Sequence, residues 1–332
     1  MAPPELQRRA GSAPVSPDLP GPRQERPLPP LVVICGATAT GKTHLSLRLA
    51  TMIGGFEILS ADSRQVYRGM DVGTAKVTAG ERALVPHHGL DLVAPDEPFS
   101  VSLYQGDALA ALAGIGARGR VAMLVGGTGL YIDAVARGVP YDEAPHDAEV
   151  RARLETELAE LGLPACAERL RQLAPSLAGR TDLVNPRRVV RALERAILVG
   201  DRSPAPPRGY PAPVLWLGLR LDHAVHRERI ANRAAGQFAG GLLTEAARLR
   251  SRFSPDLPAL SALGYREAIA VVEGRMTREA ALGETIVRTR AYARRQRTWF
   301  GAAHDIRWLD ADGDPLSSAQ AAVERFLAAV RA

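Results

Sequence analysis

The sequence predicts an α/β fold: a parallel sheet with helices on both faces, interrupted by an all-helical insertion. Three observations predict it. Apolar runs beginning at Leu31, Val121 and Val214 contain no alternation with polar residues, as strands buried on both faces require. Helical patterns rather than tight turns separate the strands, and parallel neighbours need such crossovers. Residues 141–210 then show helical periodicity with no strand among them.

Residues 1–29 are rich in Pro, Arg, Gly and Ser without periodicity, a composition that cannot repay its ordering entropy, so a disordered tail is expected. Leu31-Val32-Val33-Ile34-Cys35 is the first strand. A glycine-rich turn follows, and residues 43–53, with Leu45, Leu47 and Leu49, read as a helix. Residues 56–59 are a second short strand, 103–117 an Ala-rich helix and 121–125 the third strand. Within 141–210 the stretches 149–161, 166–173 and 187–199 read as helices. Five prolines in 201–213 mark the return to the core, which 214–219 resumes as a strand; helices alone are expected from there onward. The chain thus divides into a tail (1–29), a core made of 30–140 and 211–332, and a helical insertion (141–210).

With 46% hydrophobic and 23% charged residues the chain can bury a sizeable core, which excludes a fibre or a wholly disordered protein. A net charge of +6 suits a polyanionic partner. Of its 42 basic residues only Lys42 and Lys76 are lysine, so a compact point charge is kept at just two places. Cys35 and Cys166 allow neither a disulfide framework nor a CxxC zinc pair, which points to a reducing compartment. No apolar run reaches the ~18–20 residues of a membrane helix, and the first residues lack the apolar stretch of a secretory signal. A cytoplasmic monomer with no membrane contact is expected.

Gly36-Ala37-Thr38-Ala39-Thr40-Gly41-Lys42-Thr43 fits G-x-x-x-x-G-K-[ST] between a strand and a helix, the context in which that pattern cradles phosphate. The core is therefore P-loop NTPase-like. Backbone N–H groups of such a loop point inward at the positive end of a helix. Lys42 can reach leaving phosphate oxygens, and the Thr43 hydroxyl can ligate Mg²⁺. An ATPase would add a carboxylate at the end of another core strand, yet the third strand ends Leu124-Val125-Gly126-Gly127-Thr128-Gly129-Leu130-Tyr131 without one. Its glycines make either a plain tight turn or a second turn that approaches the same phosphates. Asp62 follows the second strand, placed either to take a proton from a nucleophile or to cap a helix.

In succession these segments resemble one family. Gly36 to Thr43 is followed by Asp62-Ser63-Arg64-Gln65-Val66-Tyr67, Gly69-Met70-Asp71-Val72-Gly73-Thr74-Ala75-Lys76 and Pro86-His87-His88. After the glycine turn come Arg188-Val189-Val190-Arg191-Ala192-Leu193-Glu194, Leu263-Gly264-Tyr265-Arg266-Glu267 and Tyr292-Ala293-Arg294-Arg295-Gln296-Arg297-Thr298-Trp299. The order and content are similar to the tRNA dimethylallyltransferases, also called tRNA isopentenyltransferases, over residues 31–308. The resemblance implies transfer of a dimethylallyl group from dimethylallyl diphosphate to N6 of the adenosine 3′ of the tRNA anticodon, position 37. An allylic diphosphate must leave whole, which accounts for the absent strand-end carboxylate.

By the same resemblance Asp62 is the base for the N6 proton. Lys42, Thr43, Thr128 and Arg233 neutralise the diphosphate with Mg²⁺ between them, and Gly36, Ala37, Thr38, Ala39, Thr40 and Gly41 complete its cradle. Arg233 belongs to Arg229-Ile230-Ala231-Asn232-Arg233, similar to the family's R-I-x-x-R helix. Ser63 and Gln65, beside Asp62, are implied to help read the extruded adenine, and Asp62, Ser63, Arg64, Gln65 and Thr128 are implied tRNA contacts. Arg151, Arg187, Arg188, Val189, Val190 and Arg191 are implied tRNA contacts, as are Ser261, Gly264, Tyr265 and Arg266. The insertion and the core would then hold the anticodon stem-loop between them.

Charge placement points the same way on its own. Arg187, Arg188, Arg191 and Arg195 share one helical stretch; Arg288, Arg290, Arg294, Arg295 and Arg297 crowd another beside Tyr292 and Trp299. Arginines interleaved with aromatics suit phosphate contact and base stacking, and a solvated charged face has the same pattern. Phe238 replaces a methionine of the family pattern, the tail has no counterpart, and two cysteines exclude the zinc finger of eukaryotic relatives, so the bacterial form is implied. His87 and His88 are expected to be structural. Three rivals stay open: a small-molecule P-loop kinase, an isopentenyltransferase acting on free adenylate, and a non-catalytic RNA-binding protein that uses the loop as a nucleotide switch.

Overall fold

The computed structural model describes residues 28–141, 147–202 and 205–332. The chain opens with β1 (Leu31–Gly36), α1 (Lys42–Ile53), β2 (Phe56–Ala61), the short α2 (Ala79–Leu84) and the two-residue β3 (His87–His88). Next come α3 (Val101–Ala117), β4 (Val121–Gly126) and α4 (Gly129–Ala136). Three helices follow: α5 (Ala148–Leu173), α6 (Pro175–Ala178) and α7 (Pro186–Val199). The remainder is β5 (Val214–Arg220), α8 (His223–Ala239), α9 (Leu242–Arg250), α10 (Tyr265–Val272), α11 (Arg278–Gly301), β6 (Arg307–Asp310) and α12 (Leu316–Arg331). All strands run parallel in the order β3-β2-β4-β1-β5-β6.

Burial on both faces explains the unbroken apolar strands. Leu31, Val33 and Cys35 of β1 join Tyr104, Ile132 and Tyr265 on one side, while Val32 and Ile34 join Leu45 and Leu49 of α1 and Val323 of α12 on the other. Both cysteines are free and buried. Phe238 lies in the first of these clusters, as a core residue.

Two strands depart from the expectation. Helices do not run alone after residue 219: β6 pairs in parallel with β5, Leu219 opposite Leu309. Only Trp308 and Leu309 are apolar between Arg307 and Asp310, because an edge strand has one neighbour and needs no apolar run. The still shorter β3 closes the opposite edge, where His88 Nε2 lies 2.7 Å from Glu57 and His87 Nδ1 2.7 Å from the Val85 carbonyl. Both histidines are thus structural among the described contacts.

The helices α5, α6 and α7 share a cluster of their own, built on Leu154, Cys166, Leu170, Val189 and Leu193. Helix α5 joins the two stretches expected as separate helices and breaks at Gly162, whose φ of 78° no helix accommodates. Asn185 starts α7 by accepting from the Arg187 N–H at 3.1 Å, with Pro186 in the first helical position. The tail up to residue 27 and the stretches 142–146 and 203–204 lie outside the described residues.

Register places the site. Ala61 and Gly126 are partners, so β2 and β4 end level with each other, one strand away from the end of β1 at Gly36. Three turns therefore meet at the carboxyl edge of the sheet, where open α/β sheets bind ligands.

Candidate functional site

The turn after β1 folds back on itself before α1 begins. Ala39 and Gly41 adopt positive φ, 63° and 96°, and the Ala37 carbonyl accepts from Lys42 Nζ at 2.6 Å and from the Thr40 hydroxyl at 2.9 Å. Burial, then the positive charge of Arg233, holds the Lys42 ammonium down at about 8, against the pull of Asp62. An anion arriving in the loop would relieve both penalties.

Asp62 lies in a turn and caps no helix; its Oδ1 accepts from the Arg64 N–H at 2.8 Å. Thr128 joins the exits of β2 and β4: its hydroxyl accepts from the Ser63 N–H at 3.0 Å, and its own N–H donates to the Ala61 carbonyl at 3.1 Å. The glycines before Thr128 make room for protein. A Cβ on Gly126 would lie 2.1 Å from the Ala61 carbonyl oxygen, and one on Gly127 would lie 2.4 Å from Gln296 Nε2.

Arg233, on α8, donates to the Thr74 carbonyl at 3.1 Å, and burial pushes its pKa down while Asp62 opposes the shift. Thr74 belongs to a rigid loop. Buried Glu245 accepts from the N–H groups of Asp71, Val72 and Gly73 and from the Tyr265 hydroxyl. Lys76, the second lysine, is buried in ion pairs with Asp71 at 2.8 Å and Asp91 at 2.7 Å.

A cavity of about 480 Å³ is lined by Thr38, Asp62, Ser63, Arg64, Thr74 and Arg233, with Ser261, Arg266, Arg288, Tyr292 and Arg295 as further lining; Lys42 and Thr128 stand outside that lining. Arg187, from the first turn of α7, completes the lining. The Arg295 guanidinium lies 5.7 Å from the Tyr292 ring centroid, and burial followed by the charge of Asp62 pushes the Tyr292 hydroxyl up to about 12.

Other expected residues sit elsewhere. Gln65 supports the site from behind, accepting from Ser60 Oγ at 2.9 Å and donating to the Thr74 carbonyl at 3.3 Å. Arg151 pairs with Glu155 at 3.1 Å and Glu194 at 3.6 Å, Arg191 with Glu194 at 2.8 Å, and Arg188 with Asp182 at 3.3 Å. Val189 and Val190 are buried in the insertion's own core, so their side chains offer no ligand contact and instead seat the helix that carries the arginines. Gly264 and Tyr265 are buried likewise, the tyrosine holding Glu245. The arginine run of α11 also divides: Arg288 and Arg295 line the cavity, whereas Arg297 donates to His226 and Trp299 donates to Asp133. Sequence reasoning missed Gln237, which lines the cavity, and Glu245 and His226 behind it. Their signal, polar residues on the apolar faces of α8 and α9, is legible only once those faces are known.

Among the described residues no group of three His, Cys, Asp or Glu side chains is placed to hold a metal ion. Thr43, exposed in the first turn of α1, puts a hard oxygen beside the phosphate loop. Such a donor fits Mg²⁺, which keeps several waters and completes its shell with phosphate oxygens.

The family model described as IPP transferase matches residues 65–303. A protein of Roseiflexus sp. (strain RS-1) described as a tRNA dimethylallyltransferase is 45% identical over 302 residues, covering 89% of this chain and 98% of that one. The structure of a full-length tRNA isopentenylpyrophosphate transferase from Bacillus halodurans aligns with a TM-score of 0.66 at 37% identity, covering 90% of this chain and 95% of that one. A eukaryotic dimethylallyltransferase described as acting on tRNA aligns with a TM-score of 0.74 over 90% of this chain and 80% of its own, and at 23% identity it speaks for the fold alone.

Proposed function

The chain belongs to the tRNA dimethylallyltransferase family, and we propose that it prenylates N6 of adenosine 37 in tRNA, using dimethylallyl diphosphate and releasing diphosphate. One observation carries the reading: a single cavity holds the phosphate-loop residue Thr38, the carboxylate of Asp62 and, from the insertion, Arg187. A kinase acting on a small molecule, or a transferase acting on free adenylate, would leave the insertion's arginine without a purpose.

The extruded adenine enters the cavity beside Asp62, since N6 within a stacked loop cannot reach a buried carbon. N6 attacks C1 of the dimethylallyl group as the C1–O bond to diphosphate breaks, and Asp62 takes the N6 proton. Asp62 Oδ1 already accepts from the Arg64 N–H, which holds the carboxylate in place. Lys42, Arg233 and the N–H groups of the phosphate loop other than that of Thr38, which donates to Gln296, receive the charge that builds on the leaving diphosphate. Thr43 would hold Mg²⁺ against that diphosphate, where the ion supplies further neutralisation. Thr128 keeps the Asp62 turn fixed through Ser63.

Arg187, Ser261, Arg266 and Arg295 on the rim would meet the anticodon stem-loop, with residues 141–210 gripping it from one side. Arg151, Arg188 and Arg191 extend this basic surface along the insertion. No helix among the described residues is long and apolar enough to cross a membrane, and a cytoplasmic monomer fits such a substrate.

The test is incubation of the purified protein with dimethylallyl diphosphate and Mg²⁺, with tRNA or AMP as acceptor, followed by nucleoside mass analysis and an ATP-only control. N6-dimethylallyladenosine on tRNA alone is expected. Product on AMP would move the assignment to an adenylate prenyltransferase, and phosphate release from ATP without product to a kinase.

A further inference from the structure

The long helix α11 holds both the phosphate loop and the glycine turn after β4. Gln296 is 5% exposed and lies between them. Its Oε1 accepts from the Thr38 N–H of the phosphate loop at 2.8 Å, and its Nε2 donates to the Gly127 carbonyl of the glycine turn at 2.7 Å. The next residue, Arg297, donates to His226 Nδ1 at 3.0 Å, which leaves Nε2 to carry the hydrogen and donate to the Thr38 carbonyl at 2.8 Å. Both backbone polar groups of Thr38 are therefore held by consecutive residues of α11, one directly and one through a histidine. One turn earlier on the same helix, Tyr292 lines the cavity together with Asp62 and Ser63.

We propose that Gln296 is a positioning residue that sets the spacing between the phosphate loop and the Gly126–Gly127–Thr128 turn, and so the placement of Asp62 against the diphosphate. The amide is suited to this because it accepts and donates at opposite corners, and each corner here meets a backbone group of opposite kind. The exposed arginines Arg294 and Arg295 directly precede it, so one helix carries both part of the outer basic surface and the contact to the phosphate loop. The contact also supplies a reason for glycine at 127, where a Cβ would lie 2.4 Å from Gln296 Nε2.

This inference rests on the prenyl-transfer reading for its kinetic arm and on the phosphate loop alone for its binding arm. The experiment is a double-mutant cycle of Gln296→Ala and Gly127→Ala, reading kcat, KM for tRNA, and affinity for inorganic diphosphate with Mg²⁺ by calorimetry. Gln296→Ala is expected to lower kcat about 10–100-fold, the scale of a misplacement near 1 Å, with KM for tRNA within about threefold of native. Gly127→Ala should do the same by displacing the amide from the other side, which keeps the test alive should Gln296→Ala fold poorly. The double variant should be no slower than the slower single one, because removing the side chain removes the clash. Diphosphate affinity should fall about tenfold in Gln296→Ala, a loss of one well-placed set of backbone donors. Multiplicative effects in the double variant, or kcat and diphosphate affinity both within twofold of native in Gln296→Ala, would overturn the proposal. A native protein that binds diphosphate through this contact yet transfers no prenyl group would overturn the functional reading and leave the positioning role standing.

Discussion

The floor and the rim of the cavity are built differently. On the floor and in the turns behind it, Lys42, Asp62, Thr128 and Arg233 are each fastened by a hydrogen bond to backbone, and Glu245 and the buried Lys76 lock the Thr74 loop that Arg233 meets. On the rim, Arg187, Ser261, Arg266 and Arg295 are exposed and come from three separate parts of the chain. Groups fixed before the substrate arrives stabilise developing charge without reorganising, which is what bond breaking demands. Exposed arginines are screened and mobile, and act by summing over many phosphates. The difference teaches that chemistry and recognition are divided between the two regions.

The largest expected effect tests the floor. Asp62→Ala should lower the rate of prenyl transfer about 10²–10⁴-fold, as loss of a general base does, measured by single-turnover product formation. Next is Lys42. Its ammonium titrates near 8, so affinity for inorganic diphosphate should weaken as pH rises through that value, by up to about tenfold per pH unit. Calorimetry at pH 7 and 9 checks this, and Lys42→Ala should flatten the dependence. If the dependence persists in the variant, the charge lies elsewhere.

Rim substitutions should behave otherwise. Arg187→Ala or Arg266→Ala is expected to weaken tRNA binding about 5–30-fold, the value of one charge-assisted contact, with kcat within about twofold of native. Each should also make the logarithmic dependence of affinity on salt shallower by about one. A rim variant that lost kcat and kept affinity would erase the division. The smallest effect concerns support for the floor. Burial, opposed by the Thr38 carbonyl and reinforced by the charges of Arg297, Lys42 and His223, holds His226 below its usual 6.5. Its favourable term is therefore complete above about 6.5 and lost as pH falls, because the unfolded chain takes the proton first. Urea unfolding at pH 7.5 and 5.5 should show a smaller acid loss in His226→Gln than in the native protein, by less than about 1.4 kcal/mol per pH unit.

The middle of the sheet was legible in the sequence because both faces of β1, β4 and β5 are buried, and burial writes itself as unbroken apolar runs. The edge strands β3 and β6 were not, since two to four residues with one neighbour leave no such trace. The phosphate loop was legible because its chemistry is local: strand, glycine turn, lysine and helix are contiguous. Residues that act across the fold were not. Val189 and Val190 sit within the same motif as Arg187 and Arg191, yet the helix turns the valines inward, a fact that depends on what packs against α7. Glu245 and His226 serve loops more than 170 residues away, so no spacing in the chain could connect them. The glycines at the end of β4 read in sequence as a tight turn or a phosphate approach, and their packing against Ala61 and Gln296 depends on neighbours distant in the chain.

The division between floor and rim is tested most directly by the tRNA affinity of Asp62→Ala, measured by equilibrium binding at fixed salt. Affinity within about twofold of native, in a variant that has lost prenyl transfer, is the predicted result, since one floor carboxylate contributes no phosphate contact. A tenfold or greater loss of tRNA affinity would contradict the account and place recognition on the floor as well.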